Sequence, residues 1–384
     1  VSNYPRFNRN TRVQSVVDNE KIEILDPPAK PQKPRNNIIT RLLPSLVMVV
    51  AGLAMSFISP FMLISSGLGV VTAIIGLIQS KKDFKKDSAD RITKYNAYIA
   101  NKRREIEEYR KQEHNTLEEI YISPVVEQQW FSSFSSELFD RDKEDPDFLC
   151  VRLGTGDVEA KREINFKKQE RLEVEDDLQQ IPENIYNEYK HIHNAPIVCN
   201  LRDVDAVGIV GDPPYRFEML KDIVIDLVAR HYYTDVKMVF VAEESNKDDI
   251  RWLRLLPHVY NDALGIRSIV CDAESKNIIF EYLYKELTFR ESSKEYDSRI
   301  VVFFYDEYGF KSHPISKFIN HAKDLGVTFV FFGNTTADIP LGCDAVIDIK
   351  DAKNASLINT HDKSDSYNFE YPHITTEQAE SVVT

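Results

Sequence analysis

Cysteine is scarce in this chain: Cys150, Cys199, Cys271 and Cys343 are the only four, and their wide spacing excludes a disulfide framework and a paired zinc motif. They read as reduced, small core residues. Histidine offers little for a metal either, because His191 and His193 form an isolated H-x-H with no nearby cysteine or third histidine. Basic charge is in deficit, with 48 Lys and Arg against 61 Asp and Glu and a formal charge of −13. That balance argues against a surface devoted to nucleic acid, whose phosphates call for clustered Lys and Arg.

Charge of either sign is missing altogether from Leu42–Ser80, between Arg41 and Lys81-Lys82. A hydrocarbon core of about 30 Å takes about 20 helical residues. The run therefore predicts two transmembrane helices, Leu42–Ser59 and Phe61–Gln79, turned at Ser59-Pro60, where proline frees backbone groups to water. Lys30, Lys33, Arg35 and Arg41 before the hairpin, and Lys81, Lys82, Lys85 and Lys86 after it, predict that both flanks are cytoplasmic. The expectation is a two-pass protein of the cell membrane, with membrane lipid among its partners. A hairpin buried in a polar protein is the alternative.

Around this run the chain divides by composition. Residues 1–41 form a Pro-rich juxtamembrane segment, with Pro27, Pro28, Pro31 and Pro34 crowded together. Residues 81–120 carry dense charge, no Gly or Pro, and a thin apolar stripe of Ile92, Tyr95, Ile99, Ile106 and Tyr109, which predicts a stalk helix or one lying back on the following domain. The remainder, 121–384, reads as one domain. Phe148–Gly154 and Arg162–Phe166 are short strand candidates around a turn at Gly154-Thr-Gly156. Further on come strand 205–210, helix 217–231, strand 236–241, helix 248–255, strand 267–271, helix 275–290, strand 299–305, helix 315–325 and strands 327–332 and 344–349. Runs such as Ile300–Phe304 and Thr328–Phe332 are apolar on both faces, as in a helix-covered parallel sheet. The fold class is α/β. The start at Val1 and the polar end after Thr375 read as cuts in a longer polypeptide.

Two stretches bear on chemistry. Gly208-Ile-Val-Gly211-Asp-Pro-Pro-Tyr-Arg216 joins a strand to a helix, where a P-loop enzyme cradles phosphates with backbone N–H groups, a helix N-terminus and a lysine. The equipment is incomplete: G-K-[ST] is missing, Pro213 and Pro214 have no N–H, and Asp212 brings negative charge. Arg216 is a substitute cation for such a site, and Gly208 and Gly211 are its backbone residues. A purely structural turn is the competing reading. In Ile300–Glu307 an apolar strand ends in Asp306 and Glu307, the pattern of a Walker B strand whose Asp orients magnesium and whose Glu polarises the attacking water. Polar groups in Gly333-Asn-Thr-Thr336 are candidates to sense a γ-phosphate. Trp252, Pro257 and His258 read as a core-facing helix end or, more sharply, as a docking surface.

Gly211-Asp-Pro-Pro214, Asp145–Gly156 and Asp249–His258, in this order behind a double apolar run, resemble the membrane-bound FtsK/SpoIIIE-type ATPases of type VII secretion systems, of the EssC/YukB kind. The resemblance spans essentially the whole chain. It implies a RecA/P-loop-like domain with a degenerate P-loop, a parent protein that binds ATP and magnesium, a hexameric motor, partners among other secretion membrane components, and export of small helical-hairpin proteins. Three functions follow as expectations: a membrane-anchoring and regulatory module, a working ATPase using Asp306 and Glu307, or a segment of a DNA-translocating motor. The acidic balance weighs against the last.

Overall fold

The computed structural model describes residues 12, 15–33, 43–44, 47, 49–51, 53, 61–167, 177–362 and 365–383, with side chains of 61–67 left aside. In chain order the elements are β1 (Ile22–Glu23), α1 (Phe61–Ile120), α2 (Pro124–Ser133), β2 (Cys150–Glu159), β3 (Ile164–Asn165), α3 (Ile181–Tyr189), β4 (His191–Asn200), β5 (Ala206–Val210) and α4 (Pro213–Arg230). They continue with β6 (Val236–Val241), β7 (Tyr260–Asn261), β8 (Ile266–Arg267), β9 (Ile269–Val270), α5 (Ala273–Ser293), β10 (Arg299–Phe304), β11 (Val327–Gly333), β12 (Ala345–Ile349), β13 (Asn354–Asn359), β14 (Ser366–Glu370) and α6 (Thr376–Ser381). Two compact units result: Asn19–Lys111 with Arg162–Lys190, and Val1–Asp18 with Gln112–Lys161 and His191–Thr384.

In the smaller unit β1 pairs in parallel with β3, Ile22 opposite Ile164. Tyr95, Ile99 and Ile106 of α1 are buried there with Ile22, Ile24, Ile164, Leu178 and Ile185. Their spacing keeps them on one helical face, so most of the thin stripe is covered inside this unit, Ile92 staying exposed. Tyr95 Oη donates to the Leu25 carbonyl at 3.0 Å, and Arg110 donates to the carbonyls of Tyr189 and Arg162 at 2.8 and 2.9 Å.

The structure overturns the two transmembrane helices. Among the described residues no helix is long and apolar enough to cross a membrane. The expected second crossing does not end at Gln79; α1 runs on without a break through Lys81, Lys82 and Asp83 to Ile120. The expected first crossing, 42–59, falls mostly outside the described residues. With the crossings goes the assignment to the cell membrane with two cytoplasmic flanks.

The larger unit holds a ten-stranded sheet in the order β4-β2-β14-β13-β12-β5-β11-β10-β6-β9. It is mixed, where the sequence predicts a parallel one. From β12 to β9 neighbours are parallel, and from β12 back to β4 they are antiparallel. The parallel half explains its own sequence: Val301 and Phe303 of β10 face the cluster containing Met219, Ile223 and Leu227 of α4, while Ile300, Val302 and Phe304 face the one containing Ile279, Leu283 and Leu287 of α5. Strands buried on both faces need apolar residues at every position. Gly154 and Gly156, expected in a turn, lie inside β2, where β14 approaches closely.

The helix expected over 248–255 is a 3₁₀ turn, Arg251–Leu255, and that over 315–325 is two, Pro314–Phe318 and Lys323–Leu325. His258 follows the first of these, fully buried, its ring Nε2 2.8 Å from the His231 carbonyl. Burial holds its pKa down to about 4. Because the folded value lies below the ordinary ~6.5 of the unfolded chain, the neutral ring's contribution is intact above pH 6.5 and is lost as pH falls toward 4. Linkage then expects about 2 kcal/mol of stability to disappear by pH 5. Denaturant melts at pH 7 and pH 5 check this, and His258→Gln should show a visibly smaller loss than the parent chain; equal losses would refute the assignment.

Candidate functional site

Three neighbouring parallel strands bring the singled-out residues to one edge of the sheet. β5 carries Gly208 and leads to Gly211, β11 lies beside it and ends at Gly333, and β10 lies beyond and leads to Asp306 and Glu307. Ligands of open α/β sheets bind outside such carboxyl ends. The gathering of these residues is therefore what a nucleotide site requires, but their bonding is not.

Gly208 sits within the strand, and a Cβ there would lie 2.2 Å from Ile339 Cδ1, so its bareness makes room for a core side chain. Gly211 has φ +148°, a conformation glycine tolerates best. Its N–H is already given to the Gly333 carbonyl at 3.1 Å. Asp212 is the N-cap residue of α4, with no cap bond from its side chain, and Pro213 and Pro214 occupy the first helical positions. Prolines suit that place because the N–H groups of a first turn lack helical partners anyway. The next two, on Tyr215 and Arg216, both donate to the Asp212 carbonyl at 3.1 Å. The loop thus presents almost no backbone donor to a phosphate.

Arg216 is buried with its guanidinium carbon 5.7 Å from the centre of the Tyr305 ring, and its Nε finds no acceptor among the described residues. Burial pushes the Tyr305 phenol up to about 12 even though Arg216 opposes it, so this ring is a neutral platform for the cation.

The two acidic residues are engaged within the chain. Asp306 accepts from the Glu243 N–H at 2.7 Å and from Asn246 Nδ2 at 3.0 and 2.8 Å, pinning the loop after β6. Glu307 accepts from the Gly309 and Lys311 N–H groups at 3.1 and 2.6 Å, folding the loop after β10. Asp338, not singled out in the sequence, accepts from the N–H groups of Thr335 and Asn334 at 2.9 and 3.0 Å and from Thr335 Oγ1 at 3.2 Å. Those bonds, the Thr335 N–H foremost, hold its carboxyl below the usual range, so it remains an anion. The donors of Asn334 and Thr335 that might meet a γ-phosphate are taken by this carboxylate. The only signal for it was its place three residues after Thr335, an ordinary turn spacing.

A magnesium nucleotide would need the Asp306 and Glu307 oxygens released from five short bonds. Its phosphates would also meet the carboxylates of Asp212 and Asp338. The residues present do not fit ordinary magnesium-ATP binding.

Comparison with known proteins identifies the setting. No family model matches. The type VII secretion system protein EssC of Staphylococcus aureus (strain NCTC 8325 / PS 47) is 24% identical over 375 residues, which are 93% of this chain and 25% of that protein. The ESX secretion system protein YukB of Bacillus subtilis (strain 168) is 25% identical over 297 residues, 75% of this chain and 20% of that one. This chain is similar in sequence to the EssC and YukB secretion system proteins. It spans about a quarter of the length of these EssC and YukB relatives. Among solved structures, EssC (ATPases 2 and 3) from Geobacillus thermodenitrificans overlaps at a TM-score of 0.42 and 12% identity, over 64% of this chain and 50% of that one, too slight an overlap to establish a common fold.

Proposed function

We propose that this EssC/YukB homologue is a regulatory, non-hydrolysing part of a type VII secretion ATPase, an ATPase-like domain that keeps the strand ends of a nucleotide site without its grip. The observation that supports this reading is the engagement of Asp306 and Glu307 in loop-holding bonds, together with a helix N-terminus opened by two prolines. Other secretion components and further copies of the full-length protein are its expected partners. In this reading the loops after β6 and β10 are fixed by carboxylates that a hydrolytic enzyme would spend on metal and water.

Calorimetric titration of the 384-residue chain with ATP, with and without magnesium, tests it. The expected result is no saturable heat and no phosphate release above background, unchanged in Glu307→Gln. Turnover by the parent chain that disappears in Glu307→Gln would replace this reading with that of a working ATPase. A DNA-translocating role draws support from no basic stripe, and DNA binding weakened by salt would be needed to revive it.

A further inference from the structure

The stretch 249–258 divides its side chains between core and surface. Trp252 and Leu253 of the 3₁₀ turn are buried, while Arg251 and Arg254 are exposed. Residues three apart eclipse one another in a 3₁₀ turn, so the two guanidinium groups stand on the same side. Neither forms a salt bridge among the described residues. Arg267 of β8 joins them: its Nε donates to the Arg254 carbonyl, which ties the strand to the turn and fixes a third cation beside the first two.

Two cavities share these three arginines. One, of about 680 Å³, adds Lys247 and the backbone approach to α5. Its acidic residues are Asp248 and Asp272, and the Asp272 carboxylate already accepts from the Ser275 N–H at 2.9 Å as the cap of α5. The other, of about 520 Å³, adds Trp252, Leu255 and Val383, with Glu380 as its one acid. Leu255 is 56% exposed on this surface. The Trp252 ring is 4% exposed, and its indole N–H, buried, has no acceptor among the described residues. A buried donor without a partner costs roughly 1–3 kcal/mol.

We infer that this arginine-lined double cavity is a docking site for an extended acidic peptide segment of a partner protein, one that alternates carboxylate and apolar side chains. A single small anion would satisfy one or two cations and leave the Leu255 and Val383 ledge bare. An extended chain supplies carboxylates for Lys247, Arg251, Arg254 and Arg267 and apolar groups for the ledge. Arg and Trp are the residue types that dominate such interfaces, and clusters of Arg recognise acidic motifs. A second copy of this chain is a poor occupant, since each carries −13. The site depends on no nucleotide, although its Lys247 directly follows Asn246, which bonds Asp306.

Fluorescence anisotropy on the 384-residue chain tests this with a fluorescein-labelled peptide alternating glutamate and leucine. The controls are an all-glutamate peptide, a lysine–leucine peptide, and inorganic tripolyphosphate as competitor. Saturable binding of the glutamate–leucine peptide is expected, falling as salt rises and weakened at least about tenfold in Arg251→Glu/Arg254→Glu. Both positions are exposed, so the melting temperature should hold. If it does not, Arg251→Gln and Arg254→Gln singly carry the test, each weakening binding severalfold. Absence of binding, equal binding by the lysine–leucine peptide, or indifference to the arginine substitutions would overturn the inference. Equal binding by the all-glutamate peptide, with full displacement by tripolyphosphate, would reduce the site to one for simple anions and also overturn it.

Discussion

Replacing Arg230 with leucine is expected to cost about 3–5 kcal/mol of unfolding free energy, the range for removing one member of a buried ion pair. Arg230, 2% exposed, donates from Nε to Glu127 at 2.6 Å, from one terminal nitrogen to Asp140 at 2.7 Å and from the other to the Ile120 carbonyl at 3.2 Å, and lies over Trp130. Burial alone would lower its pKa, but the carboxylates of Glu127, Asp140 and Asp226 outweigh burial and raise it. Burial and Asp226 push the Glu127 carboxyl up in spite of Arg230. The 2.6 Å contact to a guanidinium that never deprotonates argues for an ionic pair all the same.

Leucine would leave Glu127 without its bonded cation, only Arg141 still acting on it without a bond, and its second oxygen already lacks a partner among the described residues. The charge, more than the missing contact, is therefore the source of the loss. A companion variant separates the two. Arg230→Leu combined with Glu127→Leu removes both charges and should recover most of the stability. The measurement is the urea midpoint at pH 7 for each variant. A single substitution costing under about 1 kcal/mol would place the pair among weak, solvent-screened contacts and discard this account.

Gly154→Val should be as damaging by a different route. A Cβ at Gly154 would stand 2.2 Å from the Glu370 carbonyl oxygen and 2.7 Å from Phe369 Cδ2. The first of these is backbone, so no rotamer change relieves it. β14 meets β2 only through Phe369 opposite Gly156 and Glu370 opposite Thr155, and displacing it would open the antiparallel half of the sheet at its narrowest ladder. Overpacking typically costs 1–3 kcal/mol, and a clash with backbone belongs at or above the top of that range. Gly76→Ala is the control, for nothing lies within 4 Å of a Cβ there and it sits in a helix. It should be neutral or stabilise by up to about 1 kcal/mol. Thermal melts of the two side by side decide the matter: similar transitions would mean that β14 yields easily and that the close approach has no structural weight.

The parallel half of the sheet was legible because burial on both faces demands nearly continuous apolar runs: β5, β10 and β11 have them, and β6 and β12 are each broken by one charge, Lys237 and Asp348. α4 and α5 were legible for a related reason, each filling the space between turn residues with periodic apolar positions. β4, β13 and β14 were not. His191-Ile-His-Asn194 interrupts β4 with polar groups, and β13 and β14 are rich in Asn and Ser, residues that favour turns unless neighbouring strands satisfy them. The glycines of β2 imitate a turn for the same reason that they permit a close crossing. Charge-free sequence from Leu42 onward suggested a hairpin, but nothing local marks where the second helix should stop, and α1 continues into its charged portion. At the site, the strand pattern put Asp306, Glu307 and the glycine loop at strand ends, and the fold brings those ends side by side. The pattern held no information on which N–H groups those carboxylates would accept.

One consequence of the strand order concerns assembly. Among the described residues β4 pairs only with β2 and closes one margin of the sheet, and a ten-residue strand at a margin is a template on which another chain can nucleate fibrils. The strand is ill suited to that use. Pro196 lacks an amide hydrogen, Asn194 turns the backbone through φ +55°, and two shifts of register against β2 bend the ribbon. Those irregularities deprive an incoming strand of the straight, evenly spaced partner that amyloid growth requires.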